Sequence, residues 1–170
     1  LVAIMSMGLG YHRQSQTRLH ARTVENDAPA PVVTSAGALV EGLQALGAKR
    51  IVVICPYLKP LTQLVVDYLT AEGFEVLDFI ALEIPDNLEV GRHDPDRLLE
   101  IYQRLDCKGA DALVISACVQ MPSLPVIPTV EAQLGIPVVS AAVCTTYRML
   151  KALGLEAVVP EAGALLSGRF

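Results

Sequence analysis

A cysteine, Cys118, closes the apolar run Ala112-Leu113-Val114-Ile115-Ser116-Ala117, and Pro122 forbids the strand from continuing. A thiol in that place suits nucleophilic attack or proton transfer, because its ordinary pKa, about 8.5, lies close to neutrality. Two further loops carry groups of complementary chemistry. In Cys55-Pro56-Tyr57-Leu58-Lys59-Pro60 a phenol is held between prolines. In Glu83-Ile84-Pro85-Asp86-Asn87-Leu88 the Asn87 amide offers N–H groups to an anion. A thiol flanked by a hydroxyl and an amide donor makes a site for a small carboxylate. Plainer readings compete at each position: Cys118 as a packed small hydrophobe, Tyr57 as a half-buried tyrosine, Asn87 as a turn residue.

These residues converge only if each loop follows a strand of one sheet, and the pattern supplies such strands. Ile51-Val52-Val53-Ile54-Cys55 and the Ala112 run are apolar on both sides, as in strands covered on both faces of a parallel sheet. Ligands of such sheets bind beyond the carboxyl ends of the strands. Between the strands the period changes to that of helices. Thr34-Ser35 caps a helix reaching about Leu46, stopped by Gly47. Pro60 opens a helix to Glu72 with Leu61, Leu64, Val65, Tyr68 and Leu69 on its apolar side. Phe74 to Leu82 reads as a strand, and Asp94-Pro95 begins a helix through Leu105. A helix near Val130 to Leu134, a strand Pro137-Val138-Val139, and a helix from Ser140 to about Leu153 complete the alternation. Alternating strands and helices mean an α/β fold with right-handed crossovers and a mainly parallel sheet.

The first 33 residues fit this alternation less well. Gln14 to Asn26 is a polar, helical excursion, and Ala28-Pro29-Ala30-Pro31 is a stiff linker. Domain crossings are therefore expected there and again near Val139, dividing the chain into 1–33, 34–138 and 139–170. The chain opens Leu1-Val2-Ala3-Ile4-Met5, without initiator methionine, basic lead-in or small-residue cleavage site. It reads as the end of a buried strand in a longer polypeptide.

Bulk composition excludes several classes. Thirteen basic against eighteen acidic residues give a net charge of −5 with no lysine-arginine block, which argues against nucleic acid as a partner. Hydrophobic content is 52%, yet no apolar run approaches the ~18 residues of a membrane span. Two-sided strands and a dimer interface account for the excess. The 4 cysteines lie apart with no CxxC pair, so reduced thiols in the cytoplasm are expected and no metal site. Gly8-Leu9-Gly10 lacks the third glycine of a dinucleotide loop. His12, His20 and His93 read as solvated surface, Cys107 and Cys144 as structural, and Cys55 as buried in its strand.

The stretch from Ser116 to Pro125, with Pro56-Tyr57 and Ile84-Pro85-Asp86-Asn87, resembles the maleate cis–trans isomerases of the aspartate/glutamate racemase superfamily. The resemblance covers essentially all 170 residues, including Thr145-Thr146-Tyr147 and the closing Gly163-Ala164-Leu165-Leu166-Ser167-Gly168. It implies two similar αβα domains, the first incomplete here, with residues 1–33 and 139–170 belonging to it. It implies a cofactor-free enzyme that acts on a small dicarboxylate, maleate, between two cysteines, one from each domain; the high apolar content adds the expectation of a homodimer. Cys118 matches the second-domain cysteine, which serves as general acid and base. Tyr57 and Asn87 match residues that hold substrate carboxylates, while Leu1, Val2, Val119 and Gln120 match segments that line the substrate. The first-domain cysteine, the nucleophile, is expected directly ahead of Leu1, and a further carboxylate-binding asparagine is expected upstream with it. Within the superfamily the alternatives are an amino-acid or hydantoin racemase, for which Asp86 is the candidate partner of the ammonium group, and an arylmalonate-type decarboxylase. Outside it stands a non-catalytic ligand-binding domain in which Cys118 only packs.

Overall fold

The structure, a computed structural model, describes residues 2–4 and 32–170. The 14–26 excursion, the 28–31 linker, Gly8, Gly10, His12, His20 and Leu1 lie outside the described residues, and Val2 enters only through its strand pairing. Strand β1 (Val2–Ile4) runs parallel to β2 (Val32–Thr34), pairing Val2 with Val32. A second, four-stranded sheet contains β3 (Arg50–Cys55), β4 (Glu75–Ala81), β5 (Ala112–Ser116) and β6 (Val138–Ser140) in the order β4-β3-β5-β6, all parallel.

Helices make the crossovers. They are α1 (Ser35–Ala45), α2 (Lys59–Ala71), the single turn α3 (Asn87–Gly91), α4 (Leu98–Ile101), α5 (Ile127–Leu134) and α6 (Ala141–Ala152). Their starts follow the expected capping chemistry. Thr34 Oγ1 accepts from Gly37 N–H at 3.1 Å, and Ser140 Oγ accepts from Val143 N–H at 3.2 Å, each satisfying an orphan donor. The two central strands, β3 and β5, are buried along their length except at Arg50, which accounts for their unbroken apolar composition. The edge strand β4 alternates instead, leaving Leu77 and Phe79 exposed.

Several elements depart from the sequence reading. The helix expected from Asp94 to Leu105 is broken: α4 has 3₁₀ turns at Pro95–Arg97 and Tyr102–Arg104. Leu98, Tyr102 and Leu105 anchor this short segment in the core, and both ends tighten into three-residue turns to satisfy terminal backbone groups. Helix α5 begins at Ile127, ahead of Val130, because Ile127 and Val130 both face the core and Pro128 fits its first turn. The last strand is shifted to Val138–Ser140. Leu64 lies on the shoulder of the α2 stripe and remains 40% exposed, whereas Val65, Tyr68 and Leu69 are buried.

Two local devices hold these layers. Helices α1 and α6 pack closely at Gly42, where an added Cβ would sit 2.6 Å from Cys144 Sγ and 3.0 Å from Leu165 Cδ2. The Arg148–Glu41 ion pair joins the same two helices. At the amino edge of the sheet, Asp111 Oδ2 accepts the Lys49 and Arg50 N–H groups at 3.0 and 2.7 Å, pinning β3 to the start of β5.

Gly42→Ala gains about 1 kcal/mol of helix propensity, but overpacking against Cys144 costs about 1–3 kcal/mol, so a lower melting temperature is expected. The Gly42→Ala/Cys144→Ala double variant should regain part of the loss in thermal unfolding; a parallel drop would exclude the contact. The Arg50 N–H, then the Arg50 guanidinium and the Lys49 N–H, hold the Asp111 carboxyl at about 2, below its ordinary 3.8. The exposed ion pair adds little, so the backbone donors dominate. A depressed carboxyl pKa gives stability that is complete above pH 3.8 and lost as pH falls toward about 2. Asp111→Asn should flatten that limb of a plot of urea midpoint against pH.

Candidate active site

The parallel register of the sheet decides which loops adjoin. Because β3 pairs with β4 on one side and β5 on the other, the chain leaves Cys55, Ala81 and Ser116 along one carboxyl edge. Backbone hydrogen bonds then stitch the loops together. Ala117 N–H donates to Ile54 C=O at 3.0 Å, Leu82 N–H to Cys55 C=O at 2.8 Å, and Ile84 N–H to Pro56 C=O at 2.9 Å. The three loops expected to meet do so.

Cys118 sits two residues past β5, 2% exposed. The end of β5 is irregular: Val114 pairs with Val139 but Ser116 with Ser140, so Ile115 is an extra residue that turns the strand before the cysteine. Ser116 Oγ donates to Cys118 C=O at 2.7 Å and accepts Cys118 N–H at 3.2 Å, closing a hydroxyl-bonded turn. The turn places Gln120 N–H on Cys118 Sγ at 3.4 Å. A backbone dipole aimed at a sulfur stabilises negative charge there, as needed whenever the thiol gives up its proton. Sequence reasoning left Ser116 without a role. A serine at the end of an apolar strand, two residues before the thiol, was the available signal.

Tyr57 is buried, its hydroxyl donating to Ala117 C=O at 3.4 Å, directly beside Cys118. The fully buried Thr62 fixes that loop by donating from Oγ1 to Tyr57 C=O at 3.2 Å, a support the sequence reading also missed. Asn87 opens α3 with its side chain exposed, while Asp86 Oδ1 accepts Leu88 N–H at 2.9 Å as the cap. Glu83, the other acidic residue of that loop, adopts φ 56 and pairs with Lys59 at 3.5 Å. A non-glycine residue in that region marks a loop shape imposed by its surroundings. Val119 and Gln120 are half-buried on the turn after Cys118. The structure thus brings Tyr57, Asn87, Cys118, Val119 and Gln120 together.

The remaining cysteines lie in different surroundings. Burial pushes the Cys55 thiol far above its ordinary range; the Thr62 hydrogen bond opposes this and the neighbouring Cys118 adds to it. Burial alone does the same to Cys144. Cys107 precedes β5 at the opposite edge of the sheet, its pKa raised by burial and then by Asp106 and Asp78. His93 differs from the expected solvated residue. Its Nδ1 is buried, and it lines a cavity of about 400 Å³ with Ile84, Glu89, Arg92, Asp94 and Arg97. Burial, followed by Arg97, lowers its pKa. Among the described residues no group of three or more His, Cys, Asp or Glu side chains is placed to hold a metal ion, and no helix is long and apolar enough to cross a membrane.

Comparison with known proteins shows what the whole chain is similar to. The family model for arylmalonate decarboxylase matches residues 1–166. A maleate isomerase of Pseudomonas putida is 64% identical over 170 residues, which are 100% of this chain and 68% of that protein. A solved maleate cis–trans isomerase of Nocardia farcinica, a cysteine-to-serine variant with a covalently bound succinylcysteine intermediate, superposes with a TM-score of 0.94. Its identity is 40%, covering 100% of this chain and 72% of the other. A cysteine-to-alanine variant of the Pseudomonas putida S16 enzyme, crystallised with maleate, gives a TM-score of 0.88 at 57% identity, covering 94% of this chain and 64% of that one. The chain therefore spans about two thirds of the length of the proteins it matches. By these matches the chain belongs to the arylmalonate decarboxylase family and, within it, to the maleate isomerases.

Proposed function

We propose that this chain carries the proton-transfer half of a cofactor-independent maleate cis–trans isomerase, with Cys118 as the group that gives and takes the proton. The observation that carries the reading is the position of the Cys118 sulfur, at the junction of three strand-end loops with the Gln120 N–H upon it. The maleate bound to one relative and the succinylcysteine trapped in another support the substrate and the covalent route.

Maleate isomerises only if its double bond becomes single for long enough to rotate. A cysteine thiolate adds to one olefinic carbon, forming a carbon–sulfur bond, and the π pair moves to the neighbouring carbon and its carboxylate. The Cys118 thiol gives its proton to that neighbouring carbon, leaving a succinyl thioether. After rotation the Cys118 thiolate takes a proton back from the same carbon, the double bond re-forms, and the first sulfur leaves with its electron pair. Tyr57 and Asn87 bind the dicarboxylate, and the backbone of Leu1-Val2 and of Val119-Gln120 lines it, so that together they spread the transient charge. Cys55 and Cys144 are sealed in the core and Cys107 is at the wrong edge, so none of them is the nucleophile. In this reading that thiolate comes from the first lobe.

The remaining parts of the proposal follow from the same features. Residues 1–33 and 139–170 are assigned to one lobe and 34–138 to the other, a division supported by β1 and β2 forming, among the described residues, a sheet separate from β4-β3-β5-β6. The 4 free thiols fit the reducing cytoplasm. The exposed Leu77 and Phe79 of the edge strand fit a homodimer.

A polypeptide carrying both cysteines, mixed with maleate in D₂O and followed by proton NMR, should produce fumarate. Deuterium entering Cα of aspartate or glutamate without fumarate would indicate a racemase. Cys118→Ser should lower kcat by about 10²–10⁴-fold, and full turnover would end the acid/base assignment. Asn87→Ala should lower kcat/KM for maleate by about 10–100-fold, the loss expected for a hydrogen bond to a charged group; unchanged values would remove Asn87 from the site.

A further inference from the structure

The geometry points to the Gln120 side chain as a positioning residue that ties Asn87 to the Cys118 loop. This rests on the reading of Asn87 as a carboxylate donor. Gln120 is bonded in two directions. Its backbone N–H donates to Cys118 Sγ at 3.4 Å, and its side-chain Nε2 donates to Asn87 C=O at 2.6 Å. One residue thus joins the proton-transfer sulfur to the first residue of α3.

Helix α3 needs such a tie. It is a single turn of 5 residues, far below the length of about 12–15 at which a helix holds itself in water. Of its side chains only Val90 is buried; Asn87, Leu88 and Glu89 are exposed, Leu88 at 62%. Val90 fixes the middle of the turn and Asp86 caps its start. Among the described bonds, the Gln120 amide is the one that links Asn87 itself to the cysteine loop. Gly91 leaves the space for it. A Cβ there would lie 3.3 Å from Gln120 Nε2 and 3.5 Å from Gln120 Cγ, so even alanine presses on the amide. A bare residue where the helix meets the amide, and an N–H aimed at the Asn87 carbonyl, are two separate features of one contact.

The test is a double-mutant cycle in the full polypeptide that carries both cysteines. Gln120→Ala should lower kcat/KM for maleate about five- to tenfold, since one neutral hydrogen bond is lost. Gln120→Glu, isosteric but without an N–H donor when ionised, should lose more at neutral pH, because its carboxylate also repels the Asn87 carbonyl oxygen, and Gly91→Ala should reproduce part of the Gln120→Ala loss. In an Asn87→Ala background the Gln120→Ala change should have an effect below about twofold, because the residue acts through Asn87. Hydrogen exchange at 87–92 should quicken in Gln120→Ala while β3 and β5 keep their protection. That measurement needs no turnover, so it decides the matter even if maleate is not the substrate. Equal losses with and without Asn87 would reduce Gln120 to a general structural role. Unchanged exchange, or unchanged kcat/KM in a wild type that makes fumarate, would overturn the inference and leave the isomerase reading intact.

Discussion

The site depends on the pairing of β3 with β5. Each strand is sealed on both faces, so neither can end in the core without its polar backbone finding partners. In parallel register the two strands finish side by side, and the groups they leave unpaired are satisfied by the next loops: Ala117 N–H by Ile54, Leu82 N–H by Cys55. The requirement that buried amides be bonded therefore draws three loops into one place. The side chains of the proposed site arrive there because the backbone must, and the sheet supplies rigidity that loops alone lack.

The surroundings of Cys118 differ from those of the other core cysteines in one geometric respect. Cys55 lies on the neighbouring strand, and Cys144 is buried against Gly42; burial pushes both thiols toward the neutral, unreactive form. Cys118 is nearly as buried, but its turn is closed by Ser116 and aims the Gln120 amide at its sulfur. The turn, together with the extra residue in β5, places that backbone dipole on the sulfur. A thiol that must alternate between giving and taking a proton needs a stabilised thiolate as well as seclusion from water.

Much of this was legible in the residues. Two-sided apolar runs announce central parallel strands, Thr34 and Ser140 announce helix starts, and the proline-bounded loops containing Tyr57, Asn87 and Cys118 fall where such sheets bind ligands. These signals survive in one dimension because they are local: burial period, capping oxygen, missing proline donor. The broken helix between Asp94 and Leu105 was not legible, since its apolar spacing is helical and only the tightening of its ends makes it 3₁₀. Leu64 and His93 misled for a related reason: whether a shoulder position is covered depends on what packs over it.

By itself the sequence determined the α/β class, the strand ends, the thiol, phenol and amide that share an edge, and, through the Ser116–Pro125 motif, the family. The tertiary structure decided how those groups address one another. The Ser116 turn around Cys118, the Thr62 clamp on the Tyr57 loop, the Glu83–Lys59 pair and the Gln120 bond to Asn87 join residues whose types are unremarkable in isolation. A glutamine's hydrogen-bond partner is set by distance and direction between loops far apart in the chain, here 33 residues. Sequence pattern records which face of an element is buried, but the aim of a donor exists only once both loops have been placed by the sheet.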